Sequence, residues 1–306
     1  MRLDIEFVFE GFRIMRKRPW AVAEWGLVFL VANLIGFGSF AALAIPAFIQ
    51  MSNLSGTPDP AVLAGLFGSL ILPYFILFIV MILAGAMVSC AIFRTTLSDD
   101  KPGFGYLRLG GDEIRWILSH IVHALLFFAV YAAFAVVGVA LGFVFRLIDE
   151  NLFGLGIFLA VVLGFGVTVW LMIRLSLFSA QSFAEKRINL FGSWKLTKGN
   201  VWMLLGGYLL AGLLAVVVET VVMTVVWFFL AIFMVANMGA LQTLGSAPGT
   251  PDLAAIAWMV GPMIAGYVAV FSLVAWPVMT AIMVGAPAAA YRTLNGARAG
   301  AVEKVF

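Results

Sequence analysis

The chain has 306 residues, of which 64% are hydrophobic and only 11% charged, with mean hydropathy +1.11. Soluble domains carry about 25% charged residues, so water is not the main solvent of this protein. Its single cysteine, Cys90, excludes an intramolecular disulfide framework and a cysteine-based zinc site, and two histidines leave little for other metal chemistry. The net charge of +3 resides in short connectors, where lipid headgroups rather than nucleic acid are the nearest anions. Neither a cofactor nor a metal is expected.

The N-terminal stretch "MRLDIEFVFEGFRIMRKRPW" places acids before its bases and has no apolar core of signal-peptide length. The basic cluster Arg13, Arg16, Lys17 and Arg18 directly precedes the first apolar run. It reads as an amphipathic segment, residues 1–19, on the cytoplasmic side of the membrane.

Six apolar runs then follow, each of the roughly 20 or more residues needed to cross a bilayer. They cover roughly 20–49, 62–93, 115–145, 152–178, 201–237 and 253–290. Several are long enough to require tilt or kinks, with Pro46, Pro73, Pro262, Pro277 and Pro287 as the kink sites. Three connectors, "MSNLSGTPDP", "RLIDEN" and "LQTLGSAPGTPD", are short polar turns. The other two, residues 94–115 and 179–200, are longer, basic and aromatic. Only Arg146 among the eighteen Lys and Arg residues lies in the short turns. The positive-inside rule therefore puts both termini and both long connectors in the cytoplasm.

The stretches "FRIMRKRPW", "YLRLGGDEIRW" and "SWKLTKGNVW" place Trp20, Trp116 and Trp202 about 90 residues apart. The ends "AIFRTTL" and "AAAYRTL" match, and Arg174 marks the corresponding place between them. The expected fold is thus an all-α membrane domain of three repeated hairpins (20–94, 95–178 and 179–291, with a tail 292–306), each preceded by a cytoplasmic interfacial amphipathic segment.

Polar residues within the spans are the functional candidates. Glu219 lies at the centre of its run, where an ionised carboxylate costs at least about 2.5–3.5 kcal/mol; it must be protonated, paired or facing water, with Thr220 and Thr224 as nearby hydrogen-bonding groups. His120 and His123 share a helix face but are too few for a metal site. Glu24 and Asn33 lie in the first span. Arg146, Asp149 and Glu150 form an external turn cluster, and Gly138-x-x-x-Gly142 permits close helix packing. Arg94, Arg174 and Arg292 occupy equivalent span ends; snorkelling to phosphates is their default role, and an inward-facing ring would make an anionic-headgroup site.

In "NLFGSWKLTKGN", Leu190, Phe191, Trp194 and Leu196 form an apolar side, while Lys195 and Lys198 reach toward phosphates. Gly199 suits a left-handed position and Asn200 a helix cap. The longer segment "INLFGSWKLTKGNVWMLLGGYLL", with its Ser193-Trp194-x-Leu196-Thr197-x-Gly199-Asn200 core, resembles part of the bacterial membrane domain that precedes glycerophosphoryl diester phosphodiesterase catalytic domains. It is similar also to related six-span proteins. The resemblance implies the architecture and an inner-membrane location. It does not imply hydrolase activity, since nothing in this chain corresponds to the phosphodiesterase barrel.

No Walker loop, Gly-x-Ser-x-Gly elbow or zinc-protease motif is present. The sequence favours a non-enzymatic scaffold or lipid-interacting module, with anionic membrane lipids and a protein as candidate partners. The alternative is a transporter or flippase that uses Glu219 as a protonatable group.

Overall fold

A computed structural model of the chain describes residues 3–52, 59–98, 103–239 and 253–303. Among them there is no strand, and six helices are long and apolar enough to cross a membrane. After a 3-10 turn, Ile5–Phe9, come α1 (Glu10–Lys17), α2 (Pro19–Ser52), α3 (Pro60–Leu97), α4 (Gly111–Arg146) and α5 (Phe153–Leu175). Two short helices, α6 (Phe178–Ala184) and α7 (Leu190–Leu196), lead to α8 (Val201–Ala236). Then α9 (Leu253–Val270) passes through a π turn, Phe271–Ala275, into α10 (Trp276–Glu303).

The helix starts are locally encoded. Pro60 opens α3, where its missing N–H costs nothing, and the Asp59 side chain accepts from the Ala61 amide at 2.8 Å. Asp112 and Glu113 occupy the first turn of α4, where the helix dipole favours acids. Long helices α3, α4 and α8, with 38, 36 and 36 residues, measure about 54 Å or more at 1.5 Å per residue. They outreach a hydrocarbon core of about 30 Å. Pro46, Pro73, Pro262 and Pro287 lie inside continuous helices. At Pro277 the expected break takes the form of the π turn just before it, whose wider ring removes the steric conflict a proline creates with the preceding turn.

Packing is concentrated at the end of the bundle that holds the N-terminal segment, the two long connectors and the Arg94, Arg174 and Arg292 helix ends; this is termed the basic end below. Its larger core joins Leu3, Phe7, Val8, Phe93, Leu177, Phe183, Leu204 and Ile282. A second core joins Ile14, Trp25, Phe29, Val88, Ile92 and Tyr106. The N-terminal segment is packed on the bundle through Leu3, Phe7, Val8 and Ile14, while Ile5 and Phe9 remain exposed. A Cβ on Gly11 would stand 2.6 Å from the Ala281 carbonyl oxygen, so α1 rests directly on the backbone of α10, and the Phe7 ring fills the space above Gly207.

The second unit departs from the expected repeat. Its approach to α4 is a turn, not an amphipathic helix, because Gly105 and Tyr106 take left-handed φ values of 52° and 59°. The α4–α5 hairpin closes on small residues as anticipated: Gly138 faces Ala160, and Gly142 meets Gly156 and Phe153. Elsewhere this hairpin touches the bundle mainly at the basic end. Only 6% of the apolar window of α4 is buried in protein, against 39% for α3, which leaves most of its surface to lipid.

Replacing Gly11 by Val is expected to dislodge α1 at a cost of roughly 1–3 kcal/mol for overpacking. Trypsin should then cut faster after Arg13 and Arg16. The matched Gly206→Val change, at a position with open space, should leave the cleavage rate unchanged.

Candidate functional site

Arg94, Arg174 and Arg292, expected to snorkel or alternatively to form an inward-facing ring, meet separate partners and share no site. Each arginine closes a different joint of the basic end. Arg94 is 3% exposed and cannot reach headgroups. Its Nη2 donates to Glu113 Oε1 at 2.6 Å and to Asp112 Oδ2 at 3.4 Å, and Nη1 donates to the Tyr106 carbonyl at 3.0 Å. Its guanidinium also lies over the Phe183 ring. Glu113 is 2% exposed, so this is a buried ion pair that ties the end of α3 to the start of α4. Lys186 and Arg115 close on Asp112 at 2.8 and 2.6 Å and extend the network to the α6–α7 connector. There, burial alone would raise the Glu185 carboxyl; hydrogen bonds from Gln181, Arg187 and Asn189 outweigh it and hold the group below its ordinary value.

Arg174 is half-buried between the Trp170 and Trp194 rings, 5.6 and 5.2 Å from their centres. Helix α5 ends just beyond it, which frees its carbonyl to accept from Ser193 Oγ at 2.8 Å and Thr197 Oγ1 at 3.4 Å. The Ser193-Trp194-x-Leu196-Thr197-x-Gly199-Asn200 core is therefore a clasp on the α5 end. Ser193, Leu196 and Thr197 turn inward, while Phe191, Lys195, Lys198 and Gly199 remain exposed. Gly199 takes the expected left-handed conformation, φ 85°. Asn200 makes no side-chain cap; its Oδ1 instead accepts from the Leu3 amide at 3.2 Å and anchors the N-terminal segment.

The intramembrane candidates do not converge. Asn33 is 2% exposed and donates to Ser272 Oγ at 2.9 Å, which joins α2 to the π turn. The Nδ1 atoms of His120 and His123 pair with carbonyls of their own helix, Trp116 and Ser119; His120 stacks on Trp116, and His123 packs on Phe178. Among the described residues no cluster of three metal-ligating side chains exists. Glu219 is half-buried and makes no hydrogen bond or ion pair to any described residue. Thr220 and Thr224 do not serve it, because their hydroxyls donate to the Val216 and Thr220 carbonyls. Arg146 is exposed beside the α4–α5 turn, as expected.

Glu24 is placed differently from the rest. It lines a cleft of about 950 Å³ at the basic end, together with Lys17, Arg18, Trp20, Thr95, Tyr106 and Arg292. The cleft lies between the start of α2, the end of α3 and the Gly103–Tyr106 turn. Trp25 fixes this turn by donating from Nε1 to the Gly105 carbonyl at 2.8 Å. Arg18 lies 4.6 Å above the Tyr106 ring, and its Nη1 has no hydrogen-bond partner. Lys17 makes no hydrogen bond or ion pair to any described residue through its ammonium. Arg292 donates to the Thr96 carbonyl at 3.0 Å and approaches Glu10 Oε1 at 3.3 Å while remaining 46% exposed.

A separate apolar groove of about 460 Å³ lies between α2 and α3, lined by residues that follow those of the cleft along α2. Residues 20, 24, 27, 28, 31 and 35 of α2 fall on one helical stripe; the first two line the cleft and the others the groove. Phe104 belongs to the groove, and its neighbours Gly103 and Gly105 to the cleft. Lys17 and Arg18 were visible in the sequence only as a topology signal. The cue to more was that Trp20, Glu24 and the apolar residues after them keep one helical face.

No protein-family model, curated protein or solved structure matches the chain.

Arg94→Ala should cost about 3–5 kcal/mol, because it leaves Glu113 buried without a partner. Lys195→Ala and Lys198→Ala should stay within about 0.5 kcal/mol. Thermal unfolding in detergent would separate the two classes.

Proposed function

We propose that the protein is a non-enzymatic, lipid-interacting module of a bacterial inner membrane, with its basic end and both termini on the cytoplasmic side. The observation that carries this reading is that one helical stripe of α2 lines first the cationic cleft and then the apolar groove. Lys17, Arg18 and Arg292 offer charge to a phosphate-bearing head, and the α2–α3 groove offers an apolar wall to an acyl chain. Assignment by sequence of seventeen of the eighteen Lys and Arg residues to the N-terminal segment, the two long connectors and the C-terminal tail supports the orientation. The similarity of the Ser193–Asn200 segment to the membrane domain that accompanies glycerophosphoryl diester phosphodiesterases is consistent with a lipid-related role.

The Lys17→Gln/Arg18→Gln double variant should retain at least about tenfold less phospholipid, a loss equivalent to about 1.4 kcal/mol. Its melting temperature should be close to that of the parent, because neither side chain holds an ion pair. Native mass spectrometry after gentle extraction measures retention directly. Unchanged retention, with a stoichiometric co-purifying protein, would favour the scaffold reading in place of the lipid module.

A carrier reading rests on Glu219 alone, since a half-buried carboxyl at mid-span has no partner among the described residues. The lipid-module reading expects Glu219→Gln to leave lipid retention and proton flux in proteoliposomes unchanged. Loss of a proton-coupled flux in that variant would establish the carrier instead.

A further inference from the structure

The cations of the cleft account for a phosphate, but they leave Glu24 unexplained. Every other acid of the basic end that is buried or half-buried among the described residues has a cationic partner. Glu10 pairs with Arg13 and Arg292, Glu113 with Arg94, Asp112 with Lys186 and Arg115, and Glu185 with Arg187. Glu24 alone in this set makes no ion pair or hydrogen bond to a described residue, although three cations line the same cleft. Its carboxylate faces Gly105, where a Cβ would come within 2.8 Å of Oε2. The glycine thus keeps space in front of the acid as well as allowing the left-handed turn.

Depth along α2 decides what that acid meets. Lys17 and Arg18 precede the helix, Trp20 sits in its first turn, Glu24 lies about 6 Å further in, and the apolar groove begins at Leu27. A lipid whose phosphate rests on the cations and whose chain enters the groove presents its glycerol carbons to Glu24. A diacyl lipid would place an ester oxygen there, an acceptor facing an acceptor. A single-chain lipid carries a free glycerol hydroxyl instead, which can donate to the carboxylate.

Building on the lipid-module reading, we propose that this cleft selects single-chain glycerophospholipids: the phosphate lies among Lys17, Arg18 and Arg292, the free hydroxyl donates to Glu24, and the one acyl chain occupies the α2–α3 groove.

The test uses the full chain in nanodiscs containing diacyl phosphatidic acid and its monoacyl form in equal amounts, with retained lipid read by native mass spectrometry; neither has a headgroup alcohol, so only the monoacyl form carries a free glycerol hydroxyl. The parent protein should enrich the monoacyl lipid about tenfold, the discrimination expected from a hydrogen bond to a charged group. Glu24→Gln should bring the ratio to near parity, because an amide can donate to the ester oxygen, while total retention persists. Equal retention of both lipids by the parent, with no effect of Glu24→Gln, would overturn the hydroxyl assignment and leave the lipid site standing. Retention no greater than that of the Lys17→Gln/Arg18→Gln variant would overturn the site itself. Glycerol 3-phosphate, added as a chainless competitor, should displace little of the monoacyl lipid. Full displacement by it would identify a free phosphate ester as the ligand and overturn the role of the groove.

Discussion

A guanidinium withdrawn from both water and lipid must have a carboxylate beside it, and the Arg94–Glu113 pair meets that requirement at the junction of three elements. It fixes the end of α3 against the start of α4, and its remaining donor holds the Tyr106 carbonyl. The Tyr106 ring in turn lies beneath Arg18, and Trp25 secures the adjacent Gly105 carbonyl. The wall of the cleft is therefore an extension of a buried ion pair, and the position of Arg18 depends indirectly on Arg94. This arrangement makes a polar site at the end of the bundle that holds the two larger buried cores.

The remainder of the bundle is built on a different principle. Lipid chains are as apolar as leucine, so helices in a bilayer gain little by burying side chains against each other unless small residues allow close approach. The Gly138, Gly142, Gly156 and Ala160 contacts provide that approach within the α4–α5 hairpin, and little else holds it to its neighbours away from the basic end. Lateral grooves lie between the long helices. The groove between α2 and α3 is lined by the same α2 stripe that lines the charged cleft.

Much of the architecture was legible in the sequence, because twenty or more consecutive apolar residues have few outcomes other than a spanning helix. Each of the six expected runs falls on helix: the first three helices extend beyond their runs, the fourth is trimmed to Phe153–Leu175, the fifth matches to within a residue, and the sixth is divided by the π turn. The glycine at position 199 was legible for a local reason, a chain reversal that favours a left-handed residue. The fate of the basic residues was not. Snorkelling and burial begin from the same helix-end position, and only the distant acids Glu113 and Glu10 decide that Arg94 goes inward while Arg292 stays half out. The second amphipathic segment also failed to form a helix over residues 103–110, since Gly103, Gly105 and Gly110 favour turns over helix. Glu24 was visible as an interfacial acid, but its importance depends on neighbours from α3 and α10 that no local pattern reveals.

The most direct test of the account is cryo-electron microscopy of the protein in nanodiscs of native lipid, at a resolution that separates headgroup from chain. The account predicts elongated density in the α2–α3 groove, capped by a compact head between Lys17, Arg18 and Arg292, with Glu24 touching the join between them. A groove filled by ordinary mobile lipid, with the cleft closed by the protein's own side chains and no head density beside Arg18, would contradict it.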